Sequence, residues 1–381
     1  MKIIAKTLYG LEELLKEELE EIGAKDCIIH NRAVEFEGDL ELLYKVNYLS
    51  RLSIKVLVEL ISFNARNEDD LYKECLNYEW EALFEVSNTF AIFSTVNSRN
   101  FNHTKYVSLK MKDAIADRFR EKFGKRPSVS IENPDYQFNL HISNSDVSIL
   151  LDASGESLHK RGYRSKVLEA NLSEVLAAGM LKLAEYKGDI SLYDPMTGSG
   201  TIVCEACLIQ KNIPSGYFRK SFGFMTWKDF DSSLFNRIKK EANAKIVNNN
   251  VPIYASDISK KSIDILREII AGNDFFSNIN VKVSDISQLE PKSESGLFII
   301  NPPYDDRLQL DNINELYSKI GKALKFNFPN HTGWIISANF EALKFIGLKP
   351  ARKIKLFNGN LEARFNKYEL FKGKRKDNLT E

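Results

Sequence analysis

One stretch does most to constrain the fold: Asp194-Pro195-Met196-Thr197-Gly198-Ser199-Gly200-Thr201. Before it, Asp189–Tyr193 is short and mostly apolar and reads as a buried strand. After it, Ile202–Ile209 reads as a helix. A strand, a Gly-x-Gly turn and a helix form the opening unit of a doubly wound sheet. The glycines allow a tight turn and close approach of the backbone to a ligand. The third glycine of the dinucleotide fingerprint is missing and no Gly-Lys-Ser/Thr follows, so neither kind of phosphate cradle fits. Asp194, an acid at the strand end, suits a ligand with a cationic amino-acid part.

A second stretch narrows the chemistry. Gly296–Ile300 reads as another buried strand, stopped by Asn301-Pro302-Pro303-Tyr304. Proline cannot continue the ladder, so the strand ends there. Its end then offers an amide side chain, a carbonyl without a competing N–H, and an aromatic face. Such a group suits a planar ring bearing an exocyclic amine. Asn301 and the Pro302 carbonyl would accept its hydrogens while Tyr304 stacks on its face.

The chain has 381 residues, enough for two or three domains. Its 43% hydrophobic and 28% charged residues are those of a globular protein. No run approaches the ~18 apolar residues of a membrane span, and Met1–Thr7 carries no signal-peptide core. Four cysteines give no disulfide framework, so a reducing cytoplasm is expected. Cys204 and Cys207 share a CxxC spacing, but without a second pair they read as packed core and not as a metal or redox site. A net charge of +1 means that any nucleic-acid partner must be met by local patches.

Taken in order, residues 1–60 read as an α+β unit: strands at 3–8, 27–30, 33–36 and 52–63, with helices at 11–22 and 39–46. Residues 61–155 read as a second one, with a helix at 106–122, the basic turn Gly124-Lys125-Arg126-Pro127, and strands at 89–97, 128–132, 136–143 and 146–152. Residues 156–188 form a junction. Its segment Ser157–Lys166 carries Lys160, Arg161, Arg164 and Lys166 beside His159 and Tyr163. Such a run is either a solvated linker or a strap that neutralises phosphates and stacks Tyr163 on a base. Glu174 opens the following helix, on the side of the glycine turn. The catalytic candidate is 189–372, with a charged tail at 373–381. Within it, Phe218, Phe222, Phe224 and Trp227, with Arg219 and Lys220, lie in an insertion at 210–250. They either cover one side of the pocket or pack among themselves. The strand 251–257 ends in Asp257, placed to accept from two ribose hydroxyls. The strand 280–285 ends in Asp285, placed to accept from an adenine amine. An Asn358-Gly359 turn closes a final antiparallel hairpin.

Together, Asp-x-x-x-Gly-x-Gly, the acids after the next two strands, Asn-Pro-Pro-Tyr and the closing hairpin resemble the amino-methylating class I S-adenosylmethionine-dependent methyltransferases. Tyr9-Gly10-Leu11-Glu12 and Leu151–Arg164 extend the resemblance to the THUMP-domain RNA methyltransferases, in particular those that modify guanine N2 of 23S ribosomal RNA. The resemblance implies an α/β chain: a Rossmann-like methyltransferase sheet preceded by an α+β region, ferredoxin-like plus THUMP, that binds RNA. It implies S-adenosylmethionine as cofactor, held by Asp194, Gly198, Ser199, Gly200, Thr201, Glu174, Asp257, Ile258, Asp285 and Asn301. It places the target base at Asn301, Pro302, Pro303 and Tyr304, and the RNA on Lys125, Arg126, His159, Lys160, Arg161, Tyr163, Arg164 and Lys166. No metal, membrane or obligate protein partner is implied. The same motifs would serve an adenine-N6 methyltransferase on DNA or RNA, or a guanine-N2 methyltransferase of transfer RNA. An RNA-binding protein with an inactive methyltransferase fold is the reading from outside enzymes.

Overall fold

The computed structural model describes residues 1–101, 103–164, 172–303 and 310–371. They form two compact units that are not contiguous in sequence. The first holds Met1–Thr7, Leu15–Lys160 and Arg219–Lys240, and the second holds Leu8–Leu14, Arg161–Phe218 and Glu241–Glu381.

In the first unit the chain runs β1 (Lys2–Lys6), α1 (Glu12–Ile22), β2 (Lys25–His30), β3 (Ala33–Glu37), α2 (Leu40–Leu49) and β4 (Lys55–Asn64). It continues with α3 (Glu68–Asn77), α4 (Trp80–Leu83), β5 (Thr89–Asn97), α5 (Thr104–Phe123), β6 (Ser128–Val129), β7 (Tyr136–Ser143) and β8 (Asp146–Asp152). The helix starts follow from capping: Asp39 Oδ1 accepts from Leu42 N, and Asn67 Oδ1 accepts from Asp69 N and Asp70 N. Gly124 closes α5 with φ +67. β7 alternates between buried and more exposed positions, as a strand with one packed face must.

The sequence suggests two separate α+β units here, yet the strands join in one sheet, ordered β2-β3-β1-β4-β8-β7-β5-β6 among the described residues. β4 is the reason. It is ten residues long, so Lys55–Val58 pair with β1 on one side while Leu57–Asn64 pair with β8 on the other. The strand expected at 128–132 shrinks to Ser128–Val129.

The aromatics of the insertion pack among themselves, as one of the two expectations had it, and also against α2. Phe222, Phe224, Phe230 and Phe235 pack around Tyr44 and Tyr48 of α2, with Tyr44 stacked on Phe224 at 4.3 Å. Arg219 donates to the carbonyls of Ser154, Glu156, Ser157 and Lys160. Residues 219–240 are therefore core and brace of the first unit, where the aromatics also pack on one another, Phe222 stacked on Phe224 at 5.3 Å and Phe235 against both.

The second unit contains α6 (Glu174–Leu183), β9 (Leu192–Asp194), α7 (Thr201–Gln210), β10 (Ile253–Asp257), α9 (Lys260–Ala271), β11 (Ile279–Val283) and β12 (Leu297–Ile300). It ends with α10 (Leu310–Asn327), β13 (Thr332–Ser337), β14 (Arg352–Asn358) and β15 (Leu361–Glu369), while α8 (Ser232–Asn243) lies within the insertion and mostly in the first unit. The sheet order is β11-β10-β9-β12-β13-β15-β14. β9 to β13 are parallel, and β15 enters antiparallel beside β13 with β14 at the edge. The order reverses between β9 and β12, and in open α/β sheets ligands bind at the carboxyl ends of the strands at such a switch. All four residues of β12 are buried, as expected of a central parallel strand. Tyr193 lies between Tyr254 and Phe298 in a stack of three rings, which pins β9 to its neighbours. Cys204 and Cys207 are buried on α7, and Cys207 Sγ donates to Phe275 O at 2.9 Å.

No helix among the described residues is long and apolar enough to cross a membrane. Among them, no group of three His, Cys, Asp or Glu side chains is placed to hold a metal ion.

Candidate active site

The strand ends of the second unit bring the motif residues together. β9 delivers Asp194 into a site where it is 1% exposed. Oδ1 accepts from Met196 N at 3.3 Å, and Oδ2 has no hydrogen-bond partner. Burial drives its carboxyl up to about 8, against the opposing pull of the hydrogen bonds around it and with some help from Asp257.

The turn after Asp194 is tied to the next strand. Thr197 N donates to Ser256 O, and Gly198 N donates to Asp257 Oδ2 at 2.9 Å. Gly198 has φ +53 and Gly200 φ +85, a region where only glycine is at ease. A Cβ at Gly200 would also lie 2.4 Å from Leu266 Cδ1 of α9, so a larger residue there would push the turn off its helix. Thr197 Oγ1 is buried without a partner, a feature legible only in that Thr197 belongs to the motif.

Asp257 Oδ1 accepts from Ser259 N, so both of its oxygens are engaged by the backbone. Ile258 beside it is 73% exposed. Asp285 caps the short turn Ile286–Gln288 through Ser287 and accepts from Lys319 Nζ at 2.6 Å. Burial alone would raise its carboxyl, but the bonds from Lys319 and Ser287 hold it below the ordinary range. Lys319, on α10, is a contributor that sequence reasoning missed, because its partner is 34 positions away.

At the end of β12, Asn301 Oδ1 is buried and makes no hydrogen bond. Pro302 is buried and Pro303 exposed. Tyr304 lies outside the described residues. Glu174, 8% exposed, opens α6; burial raises its carboxyl while Arg164 opposes that rise.

Buried polar atoms are almost always satisfied in native proteins. Three acceptors left open at adjoining strand ends, Asp194 Oδ2, Thr197 Oγ1 and Asn301 Oδ1, mark a place shaped for a ligand that brings its own donors. An acid for an ammonium, a glycine turn that admits close backbone approach and an amide for an amine together fit S-adenosylmethionine beside an amino-bearing base.

Comparison with known proteins agrees with this chemistry. Residues 161–367 match the model described as the RMKL-like methyltransferase domain. The chain belongs to the RMKL-like methyltransferase family. Ahead of this RMKL-like domain, residues 65–152 match the THUMP domain and 2–57 the RlmL ferredoxin-like domain. A Synechocystis sp. protein provisionally named an RNA methyltransferase is 34% identical over 369 residues, covering 96% of each chain. The ribosomal RNA large subunit methyltransferase K/L of Psychromonas ingrahamii is 37% identical over 371 residues, covering 96% of this chain and 49% of that protein. The chain thus spans about half the length of its K/L relatives. A solved structure of a provisional methyltransferase complexed with S-adenosylhomocysteine superposes with a TM-score of 0.87 at 24% identity, covering 98% of this chain and 99% of that one. At that identity the likeness is one of fold.

Within the RMKL-like domain, the basic strap needs correction. Arg161 is 1% exposed and pairs with Glu205 of α7, itself fully buried, so its guanidinium is not offered to a phosphate. The Tyr163 ring makes T-shaped contacts with Phe218 and Phe276 and its hydroxyl is buried, so the side chain is held within the second unit. Arg164 turns inward to the glycine turn. The sequence shows four cations within ten positions but not that the chain folds two of them inside. Of the others, Lys125, Arg126 and Lys160 are exposed, and His159 Nδ1 lies 2.8 Å from Ser157 Oγ. Lys166 lies outside the described residues.

A prediction follows for the buried pair. Removing one partner leaves the other charged and buried, which costs about 3–5 kcal/mol. Glu205→Ala will therefore lower the denaturation midpoint sharply, while the salt dependence of RNA binding keeps its wild-type slope. A lower slope in Arg161→Met would return Arg161 to the RNA surface.

Proposed function

We propose that this chain transfers the methyl group of S-adenosylmethionine to the exocyclic amine of a base in RNA, with guanine N2 of large-subunit ribosomal RNA as the substrate. The observation that carries the proposal is Asn301 Oδ1, a buried acceptor left open at the end of a central strand and followed by two prolines. A THUMP match and a ribosomal-RNA relative support RNA as the polymer. Free cysteines fit a reducing cytoplasm.

When bound, the cofactor supplies a methyl group already made electrophilic by its sulfonium, so the chain need only bind, orient and shield. Asp194 accepts from the cofactor's ammonium end, and the Gly198–Thr201 turn takes up the rest of its amino-acid part. Asp257 and Ile258 serve the ribose and Asp285 the adenine. Asn301 Oδ1 and the Pro302 carbonyl would hold the hydrogens of the target amine, which turns the nitrogen lone pair towards the reacting carbon; as the N–C bond forms the S–C bond breaks, and one amine proton then leaves to water. The base must leave its stack to reach them. Tyr304 would restore the lost stacking, and Lys125, Arg126 and Lys160 would meet phosphates.

The test uses labelled S-adenosylmethionine with the purified full chain and nucleic acid from cells lacking the gene. Label in the large ribosomal RNA fraction is expected. Label only in transfer RNA or only in DNA would overturn the substrate, and no label in any fraction would favour a binding protein.

A further inference from the structure

Arg164 lies against the glycine turn in a way the sequence does not announce. Its side chain is 7% exposed. Nη1 donates to Ser199 Oγ at 3.0 Å and Nη2 to Thr201 Oγ1 at 2.6 Å. Nε is 3.4 Å from Glu174 Oε1, an ion-pair distance, yet it is buried and makes no hydrogen bond. A charged donor kept from water without a bond costs more than a neutral one, so it needs an explanation.

Two further features surround it. Ser199 and Thr201 flank the start of α7, a ten-residue helix whose first N–H groups have no partner within the helix and favour an anion. The same turn begins at Asp194, whose Oδ2 is the open acceptor already described. A cation with an unmade donor at a helix N-terminus asks for an anion. An acid with an unmade acceptor asks for a cation. A free α-amino acid group carries both. Glu174 does not fill the first role, since its contact with Nε lacks hydrogen-bond geometry.

We infer that Arg164 is the counter-charge for the α-carboxylate of S-adenosylmethionine, presented by its bonds to Ser199 and Thr201. This rests on the cofactor reading above and adds to it a residue that the motifs assign to RNA.

Calorimetric titration of the full chain separates the roles. The two ligands are S-adenosylmethionine and its decarboxylated analogue, which keeps the ammonium and the sulfonium but has no carboxylate. Wild type should bind S-adenosylmethionine the tighter by about tenfold or more. Arg164→Met should weaken S-adenosylmethionine by on the order of 10–100-fold. It should leave the analogue within about threefold, so that the preference disappears. Arg164→Lys keeps the charge and should retain part of the preference; it carries the same comparison if the Met variant does not fold. Equal loss for both ligands would reduce Arg164 to a brace of the turn, and no loss for either would remove it from the site. Wild type that binds neither ligand would refute the cofactor reading itself, and this inference with it.

Discussion

Asn301→Ala will all but abolish methyl transfer while the chain still folds and binds its cofactor. Removing a single well-placed polar group from a reacting centre typically costs 10²–10³ in kcat. Here the loss should reach at least that order, because the buried Asn301 Oδ1 is the acceptor proposed for the amine itself. Its affinity for S-adenosylmethionine should change by only about threefold, since the proposal gives the amino-acid end to Asp194 and the glycine turn. Folding should be unharmed, because the deleted oxygen makes no hydrogen bond in the free protein. Single-turnover transfer alongside calorimetric binding checks both halves. Near-normal turnover would remove Asn301 from the chemistry, and loss of binding in step with rate would make it a cofactor residue alone.

Asp194→Asn will separate stability from function in the opposite direction. The carboxyl ordinarily titrates near 3.8, and burial first of all lifts it to about 8 in the folded chain. Between those values the folded state holds a proton that the unfolded state has released. Stability from this group is therefore full below pH 4, is lost progressively as pH rises towards 8, and levels off above it. Asparagine never ionises, so the variant should gain on wild type in thermal midpoint as pH rises from 5 to 8. It should at the same time lose S-adenosylmethionine affinity by about 100-fold or more, because an ammonium to carboxylate bond is among the strong ones. Wild type should release a proton on binding at pH 7, visible when titrations are repeated in buffers of different ionisation enthalpy. Parallel melting profiles for the two proteins, or unchanged affinity, would contradict this reading of Asp194.

Much of the sheet was legible because its signals are local. The buried run Leu297–Ile300 could only be a central strand, and Asn358-Gly359 could only close a hairpin. Asp194, Gly198 and Gly200 declared a turn whose positive φ angles the structure contains. What stayed hidden depends on long-range packing. Nothing near Phe222 says that it meets Tyr48, or near Arg219 that it holds the carbonyls of Ser154–Lys160. β4 reads as one strand, but the pairing that joins two subdomains through it is a property of β1 and β8. The basic strap misled for the same reason. Charge density in sequence suggests a surface, while Glu205 and Glu174, the acids that draw Arg161 and Arg164 inward, lie 44 and 10 positions further on.

The most direct measurement is the identity of the methylated nucleoside. Large ribosomal RNA from cells lacking the gene would be incubated with the purified chain and S-adenosylmethionine bearing a deuterated methyl group. The RNA would then be digested and the nucleosides separated by mass. The proposal predicts the heavy methyl on N2 of guanosine, absent with Asn301→Ala. Heavy methyl on N6 of adenosine, on a ring carbon or on a ribose oxygen would contradict it.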